Sequence, residues 1–338
     1  MSAIPPAPIH FREIFKTKVW GARRLETLLG KSLPPDAPVG ESWELSDHPH
    51  GLSEVDEGVL AGMTLHDLVR RDEIALVGRP GALELGGRFP LLFKFIDTAG
   101  FLSVQVHPSD DYARKHEQGD PGKTEGWVVV HAEPGAKIAL GLKPGTTRRA
   151  FSRAARAGDV EPFLRFVEVK RGDVLAVPAG TVHAVGPGVL LAEIQQNSDA
   201  TYRLYDWKRM GLDGTPRELH VEKALDVIDF AASAPPVFAP ELLADGPARH
   251  ERLVANAKFT LDRYAHDAPF DLRPADLESF VILSGIAGRA ELVHESGTAA
   301  IALGRTLLLP ASLRTLAVRP RGPVELLAMS LPLPGGIG

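Results

Sequence analysis

Short apolar runs separated by turn residues dominate the sequence. The alternation of apolar and polar positions is typical of strands with one buried face, and it predicts a long series of strands. In the first two thirds of the chain these strands fall at 42–45, 91–96, 102–107, 126–130, 165–169, 174–177, 189–195 and 203–206. They continue at 258–264, 279–283, 290–294, 306–309 and 324–330. This pattern favours a β-sandwich or β-barrel over a helical bundle.

Three segments have helical rather than strand spacing. Segment 64–77 begins at a threonine that can cap a helix, 147–157 is rich in alanine and arginine, and 218–230 repeats apolar residues at helical spacing. Segment 231–247 is rich in alanine, proline and glycine, which predicts a linker. We therefore expect a mainly β protein that contains small helical insertions.

One local pattern occurs twice, which favours two barrels. A glycine, a proline turn and a position five residues beyond the proline recur as Gly172, Pro178 and His183, and as Gly304, Pro310 and Thr315. Because the histidine position of the second copy holds a threonine, we expect a metal in the first barrel only. The 338 residues also exceed the roughly 250–300 at which single cores stop growing. We place the first domain at 1–235, with helical insertions at about 60–80 and 109–160, and the second at 236–338.

Composition excludes several classes of function. The net charge of −5 is spread over mixed signs without a long basic tract, so no nucleic-acid partner is expected. No apolar run is long enough for a membrane span, and the N-terminus lacks the pattern of a secretory signal. The sequence has no cysteine, which excludes disulfides and thiolate ligands and fits a cytoplasmic protein. No obligate protein partner is evident.

Four residues with suitable ligand atoms lie near predicted strand ends. Gln105 and His107 share one face of the strand at 102–107, about 7 Å apart. His183 follows a Pro-Ala-Gly turn, and Glu125 stands at the entrance of an apolar strand. Taken singly, each has an ordinary explanation. Gln105 and His107 would lie on a solvent-facing side of a strand, His183 would be a hydrogen-bonded loop residue, and Glu125 would be a solvated charge. Together they form a nitrogen and oxygen ligand set suited to zinc or a similar divalent ion.

Further polar residues occupy strands that a barrel would bury. Glu193 lies in an apolar strand, where burial can tune a carboxylate for proton transfer; the alternative is an outward-facing edge position. Arg203 stands between bulky aromatic residues and can hold oxyanions through two parallel hydrogen bonds. Lys94 lies in the apolar strand at 91–96, and its alternative role is that of an edge-strand lysine.

Several segments resemble the type I mannose-6-phosphate isomerases, particularly their short bacterial form. The resemblance spans about residues 15–230 and lies in Trp20-Gly21, the GESWELS segment at 40–46, PLLFK at 90–94, LSVQVHP at 102–108, GKTE at 122–125, PAGTVHA at 178–184 and LAEIQQNSD at 191–199 through RLYDW at 203–207. The order and spacing of these motifs make the resemblance specific. The C-terminal stretch is similar to the family's second barrel only in outline.

The resemblance implies a tandem cupin fold, which is a pair of jelly-roll barrels, with one zinc ion in the N-terminal barrel. It also implies interconversion of mannose 6-phosphate and fructose 6-phosphate through a cis-enediol. By position, the family's zinc ligands fall on Gln105, His107, Glu125 and His183. Its remaining active-site residues fall on Ser103, Lys123, Glu193 and Arg203, with Lys94 as a further pocket residue.

Several alternatives stay open at the level of sequence. The proton-shuttling base is either Glu193 or Lys123, since the charge of a neighbouring zinc would depress the pKa of Lys123. Arg203 can hold the enediolate or the phosphate. Two histidines and a carboxylate also suit an iron-dependent oxygenase, although Gln105 would fill a position that such an enzyme keeps open. A further hypothesis is a sugar-binding protein that has the same fold but no catalytic activity.

Overall fold

The structure is a computed structural model that describes residues 4–79, 82–83, 87–117, 119–231, 239–245 and 248–332. The α-helices are α1 (Arg24–Thr27), α2 (Leu65–Arg71), α3 (Glu73–Val77), α4 (Asp110–His116), α5 (Arg148–Ala157) and α6 (Val221–Val227). Strands of the first part are β1 (Ile9–His10), β2 (Ile14–Ala22), β3 (Val39–Leu45), β4 (Asp47–His48), β5 (Gly51–Leu52), β6 (Leu91–Asp97), β7 (Val104–Val106), β8 (Glu125–Ala132), β9 (Lys137–Leu142), β10 (Leu164–Glu168), β11 (Val174–Val177), β12 (His183–Val185), β13 (Val189–Gln196) and β14 (Tyr202–Tyr205). The remaining strands are β15 (Glu241–Ala244), β16 (Ala248–Ala255), β17 (Thr260–His266), β18 (Phe270–Leu272), β19 (Val281–Ala287), β20 (Arg289–His294), β21 (Gly297–Ala302), β22 (Thr306–Leu309), β23 (Leu316–Pro320) and β24 (Val324–Ser330).

Two pairs of antiparallel sheets form two barrels. The N-terminal barrel consists of a six-stranded sheet, in the order β11-β8-β13-β6-β3-β2, and a five-stranded sheet, in the order β10-β9-β12-β7-β14. The C-terminal barrel consists of a seven-stranded sheet, β1-β22-β19-β24-β17-β16-β15, and a four-stranded sheet, β18-β23-β20-β21. The mainly β class with tandem barrels and few helices is therefore confirmed. No helix in the described ranges is long and apolar enough to span a membrane.

The helices form largely where sequence spacing placed them, with local differences at their ends. Thr64 caps α2 by accepting a hydrogen bond from Asp67, and Asp72 then separates α2 from α3. Thr147 caps α5 in the same way. The helix predicted at 218–230 is shorter, at Val221–Val227. A capping side chain thus marks the observed start wherever the prediction was accurate.

The two insertions predicted in the first domain differ in how much helix they contain. Helices α2 and α3 occupy the insertion at about 60–80, but the insertion at 109–160 is helical only in α4 and α5 and includes the core strands β8 and β9. The boundary between 235 and 236 lies outside the described residues. The segment predicted as a linker contains β15, an edge strand whose residues are all exposed and lack the apolar alternation that would have indicated a strand.

The two barrels share strands and core. β1 comes from the N-terminal end of the chain, yet it pairs with β22 of the C-terminal sheet, with Ile9 opposite Leu308. One continuous apolar cluster includes residues of both barrels, and the rings of Phe89 and Phe280 lie 4.3 Å apart within it. The C-terminal barrel therefore packs directly against the N-terminal barrel and stabilises it.

A buried lysine connects the barrels electrostatically, and its removal should destabilise the protein. Lys31 Nζ lies 2.8 Å from Glu44 Oε1 and donates to the Gly304 carbonyl at 2.9 Å. The side chains of Lys31 and Glu44 are both 2% exposed. Lys31→Met leaves the Glu44 carboxylate buried without its cation, so urea denaturation should show an unfolding free energy about 3–5 kcal/mol lower. Adding Glu44→Gln should recover much of that loss, and a single-variant loss below about 1 kcal/mol would contradict the assigned role.

Candidate active site

The two sheets of the N-terminal barrel face each other with polar side chains at one end. In the five-stranded sheet, Arg203, Gln105 and His183 occupy directly opposed positions on the neighbouring strands β14, β7 and β12. In the six-stranded sheet, Glu193 on β13 lies opposite Lys94 on β6. Strand pairing therefore gathers residues that are far apart in sequence into one small region.

Both histidines direct the same kind of nitrogen toward the barrel interior. His107 Nδ1 lies 2.8 Å from the Ala200 carbonyl oxygen, and His183 Nδ1 lies 2.9 Å from that of Thr181. A carbonyl oxygen can only accept, so each Nδ1 carries the proton and each Nε2 offers a lone pair. Burial and the charge of Lys123 lower the pKa of His107 to about 3, and burial lowers that of His183. Both imidazoles are therefore neutral, as metal binding requires.

Glu125 completes a group of three possible ligands. The ligand atoms of Glu125, His107 and His183 all lie within 4.8 Å of one another. Burial opposes ionisation of Glu125, but the Lys123 ammonium, 2.8 Å from Oε1, holds the pKa of this carboxyl well below its usual range. Its buried Oε2 has no hydrogen-bond partner among the described residues. An ionised, buried oxygen beside two imidazole lone pairs fits a divalent cation.

Gln105 lies next to this group. Its Nε2 is 3.2 Å from His183 Nε2, and Ser103 Oγ donates to its Oε1 at 3.3 Å. The oxygen and nitrogen of a carboxamide differ little in shape, so a half-turn of this group would present Oε1 at the position that Nε2 occupies. The side chain can therefore add an oxygen to the three-residue group.

A cavity of about 240 Å³ opens beside the group of possible ligands. Its walls include seven of the residues singled out from the sequence, namely Lys94, Ser103, Gln105, Lys123, Glu125, Glu193 and Arg203. The other two, His107 and His183, contact it through Glu125 and Gln105. The structure thus brings together all nine residues predicted to form the site.

A buried ion pair lies on the wall of the cavity. Lys94 Nζ is 3.0 Å from Glu193 Oε1, and both side chains are almost fully buried. Burial disfavours the ammonium, yet Glu193 and Glu41 raise the pKa of Lys94. Burial and the negative charge of Glu125 raise the pKa of Glu193 to about 7, against the attraction of Lys94. Glu193 can therefore take up and release a proton near neutral pH.

Arg203 supplies positive charge to the wall of the cavity. Its Nη1 donates to the Glu218 carbonyl at 2.8 Å, while its buried Nε lacks a hydrogen-bond partner in the described part of the chain. Burial and the neighbouring Arg217 lower the pKa of its guanidinium. A desolvated guanidinium with an unused donor is suited to holding an anionic oxygen.

Sequence reasoning missed several residues of the cavity wall, which are Lys18, Trp20, Glu41, Asp199 and Arg217. Trp20, Glu41 and Asp199 stand inside the motifs quoted above, so the motifs signalled their importance without assigning a role. Lys18 and Arg217 stand outside those motifs and reach the cavity through folding alone. A second group of possible ligands, His48, His50 and Asp199, was also missed, and Asp199 is the residue it shares with the cavity.

The fold and site define a double-barrel β protein that holds a charged, enclosed cavity beside a candidate metal group, as expected of an enzyme for a small anionic substrate.

Residues 9–138 match the model of the phosphomannose isomerase type I catalytic domain. The chain is 35% identical to mannose-6-phosphate isomerase ManA of Bacillus subtilis, over 90% of this chain and 94% of the relative. It is 33% identical to the mannose-6-phosphate isomerase of Streptococcus mutans, over 91% and 94%. The crystal structure of the Bacillus subtilis mannose 6-phosphate isomerase superposes with a TM-score of 0.87 at 34% identity, covering 96% and 99% of the two chains. The chain belongs to the type I phosphomannose isomerase family, and its class is that of an aldose–ketose isomerase.

Proposed function

We propose that this enzyme interconverts mannose 6-phosphate and fructose 6-phosphate with one zinc ion in the N-terminal barrel. The observation that carries the proposal is the convergence of His107, Glu125 and His183 beside the Lys94–Glu193 pair in one cavity. Membership of the family supplies the substrate, because the relatives compared above bear that activity in their names. The absence of cysteine suits a cytoplasmic enzyme.

We assign the zinc ligands to His107, Glu125 and His183, with the Gln105 oxygen as the fourth. Neutral imidazoles, one carboxylate and one amide oxygen leave a bound zinc with net positive charge. When bound, zinc supplies a Lewis acid for the sugar oxygens next to the carbons that exchange a proton. The four positions filled by protein distinguish this arrangement from the open iron site of an oxygenase.

Proton transfer between C2 of the aldose and C1 of the ketose requires a base on one face of the enediol. Glu193 suits this role, because its pKa lies near neutral pH and it shares the cavity with the ligands. Lys123 is less suited, because its Nζ is held 2.8 Å from Oε1 of Glu125, which is one of the assigned zinc ligands. Lys123 instead contributes positive charge for the enediolate oxygens.

The remaining charged residues position the substrate. Arg203 is placed on the sheet beside Gln105 and holds the oxygens of the reacting carbons. Ser103 and Lys94 bind the sugar from the cavity wall. Lys18 and Arg217 have side chains that are 34% and 25% exposed, which places their charges nearer the cavity mouth and within reach of a phosphate.

A coupled assay with mannose 6-phosphate tests the proposal. Activity should disappear after chelator treatment and return when zinc is restored, while glucose 6-phosphate run in parallel should turn over poorly. Folded, zinc-loaded protein that leaves mannose 6-phosphate unchanged would reject the substrate assignment. Activity restored by iron but not by zinc would reject the metal assignment.

A further inference from the structure

A short turn of the C-terminal barrel reaches the segment that carries Lys123 and Glu125. The turn lies between β16 and β17, and Asn256 Oδ1 fixes it by accepting hydrogen bonds from the backbone nitrogens of Lys258 and Phe259 at 2.7 and 3.0 Å. We name residues 256–259 the barrel turn. These two hydrogen bonds hold the backbone of Lys258 and Phe259 in a defined position.

Lys258 acts on the active-site segment through one intermediate carboxylate. Its ammonium forms an ion pair with Asp110 Oδ2 at the start of α4. The other carboxylate oxygen of Asp110 accepts from the Gly122 backbone nitrogen at 2.9 Å and from Gln196 Nε2 at 2.9 Å. Gly122 directly precedes Lys123, so the orientation of Asp110 fixes the entry of this segment into the cavity wall.

The contact at Gly122 leaves little freedom for movement. A Cβ atom at that position would lie 2.4 Å from the Asp110 backbone nitrogen. Gln196, which is 2% exposed, also accepts from the Thr124 backbone nitrogen at 3.2 Å. Asp110 and Gln196 thus hold the residues on both sides of Lys123.

Phe259 contacts β8 at Gly126, which lies on the C-terminal side of Glu125. Its ring is fully buried, and a Cβ atom at Gly126 would lie 3.0 Å from it. Gly126 directly follows Glu125 on β8. The barrel turn therefore acts on both flanks of the Lys123–Glu125 pair, indirectly at Gly122 through the Lys258–Asp110 ion pair and directly at Gly126 through the Phe259 ring.

We propose that the barrel turn is a positioning element for the active site, with Lys258 and Asp110 as positioning residues for Lys123 and Glu125. This inference rests on the roles proposed above for those two residues. It gives the C-terminal barrel a task in catalysis that goes beyond packing. Without the ion pair, Asp110 can turn away from Gly122, and the Glu125 carboxylate loses part of its orientation toward the metal.

Zinc affinity and turnover of the full chain test this proposal. Lys258→Met removes the charge and keeps the aliphatic stem, Lys258→Arg restores the charge, and Asp110→Asn keeps an acceptor oxygen for Gly122. Lys258→Met should raise the zinc dissociation constant about tenfold in a chelator competition and lower kcat by about tenfold, with KM changed by less than about twofold. Lys258→Arg should recover most of both losses. Asp110→Asn should resemble Lys258→Met, and the double variant should add little to either single change.

Arg321→Met is the matched control, because it breaks an exposed ion pair with Glu291 in the same barrel, 2.8 Å long. Its zinc affinity and kcat should equal those of the wild type, and its thermal midpoint should match that of Lys258→Met. Wild-type zinc affinity and kcat in both Lys258→Met and Asp110→Asn would overturn the proposal, as would losses that follow a lowered thermal midpoint. If the wild type does not isomerise mannose 6-phosphate, the proposed function fails, and the zinc dissociation constants alone still decide the positioning role.

Discussion

Replacing Glu193 by glutamine should lower kcat for mannose 6-phosphate by about 10²–10⁴ and leave the zinc content of the protein unchanged. Glutamine keeps the shape and the contact with Lys94 but cannot accept a proton from carbon. Glu193 is not among the residues assigned to the metal, so zinc measured by elemental analysis should equal that of the wild type. Unchanged turnover would remove Glu193 from the mechanism and favour Lys123 as the base.

Glu251→Gln is the control for this experiment. Glu251 is a buried carboxylate in the C-terminal barrel, 3% exposed and paired with Arg249 and Arg263. Its replacement removes a buried ion-paired carboxylate that is not among the residues of the cavity wall. We expect lower thermal stability with wild-type kcat, so a loss of turnover in both variants would indicate a general effect of disturbing buried charge.

The pH dependence of kcat/KM should report the ionisation of Glu193. A carboxylate base works only when ionised, so kcat/KM should fall as pH drops through the pKa of Glu193. Burial and the charge of Glu125 raise this pKa to about 7, and zinc on Glu125 offsets the second cause, so the acid limb should lie below pH 7. Glu193→Gln should lack this limb in its residual activity.

Replacing His183 by alanine should remove zinc and activity together. The side chain is fully buried, and its Nε2 lies 3.8 Å from Glu125 Oε2 within the group of possible ligands. Loss of a partner of a ligand typically weakens metal binding about 10–100-fold, and loss of the ligand itself should exceed that. Zinc occupancy by elemental analysis and turnover in the coupled assay should fall in parallel.

His266→Ala provides the comparison for the histidine variant. His266 is buried, 5% exposed, and lies on β17 of the C-terminal barrel. Its loss should leave zinc and turnover as in the wild type. A His183→Ala protein that keeps its zinc would reject the ligand assignment, and a zinc-free His183→Ala protein that retains activity would reject the metal requirement.

The strands of the site could be predicted because they alternate or carry long apolar runs. The stretch 91–96 is apolar except for Lys94, and β6 occupies Leu91–Asp97. The strand at 102–107 was placed correctly in outline, although β7 covers only Val104–Val106. The nine residues predicted to form the site were chosen by motif and ligand chemistry; seven of them line one cavity, and His107 and His183 contact residues of its wall.

Contacts between distant segments could not be predicted from one sequence. Lys18 lies on β2, which is an edge strand of the six-stranded sheet. From there Lys18 reaches the cavity and forms a 3.0 Å ion pair with Glu41. Arg217 belongs to a loop after β14 that no periodicity describes. The link from Lys258 to Asp110 joins residues 148 positions apart, and only the packing of two barrels brings them together.

The pairing of β1 with β22 has a consequence for how this protein is made. Ile9 and His10 leave the ribosome long before their partners Leu308 and Leu307 are synthesised. β1 therefore cannot form this pairing while the residues of the N-terminal barrel are being synthesised. Pairing of β1 with β22 is therefore a late step when the chain folds during synthesis, and a chain that stops before residue 306 would lack the partner of β1.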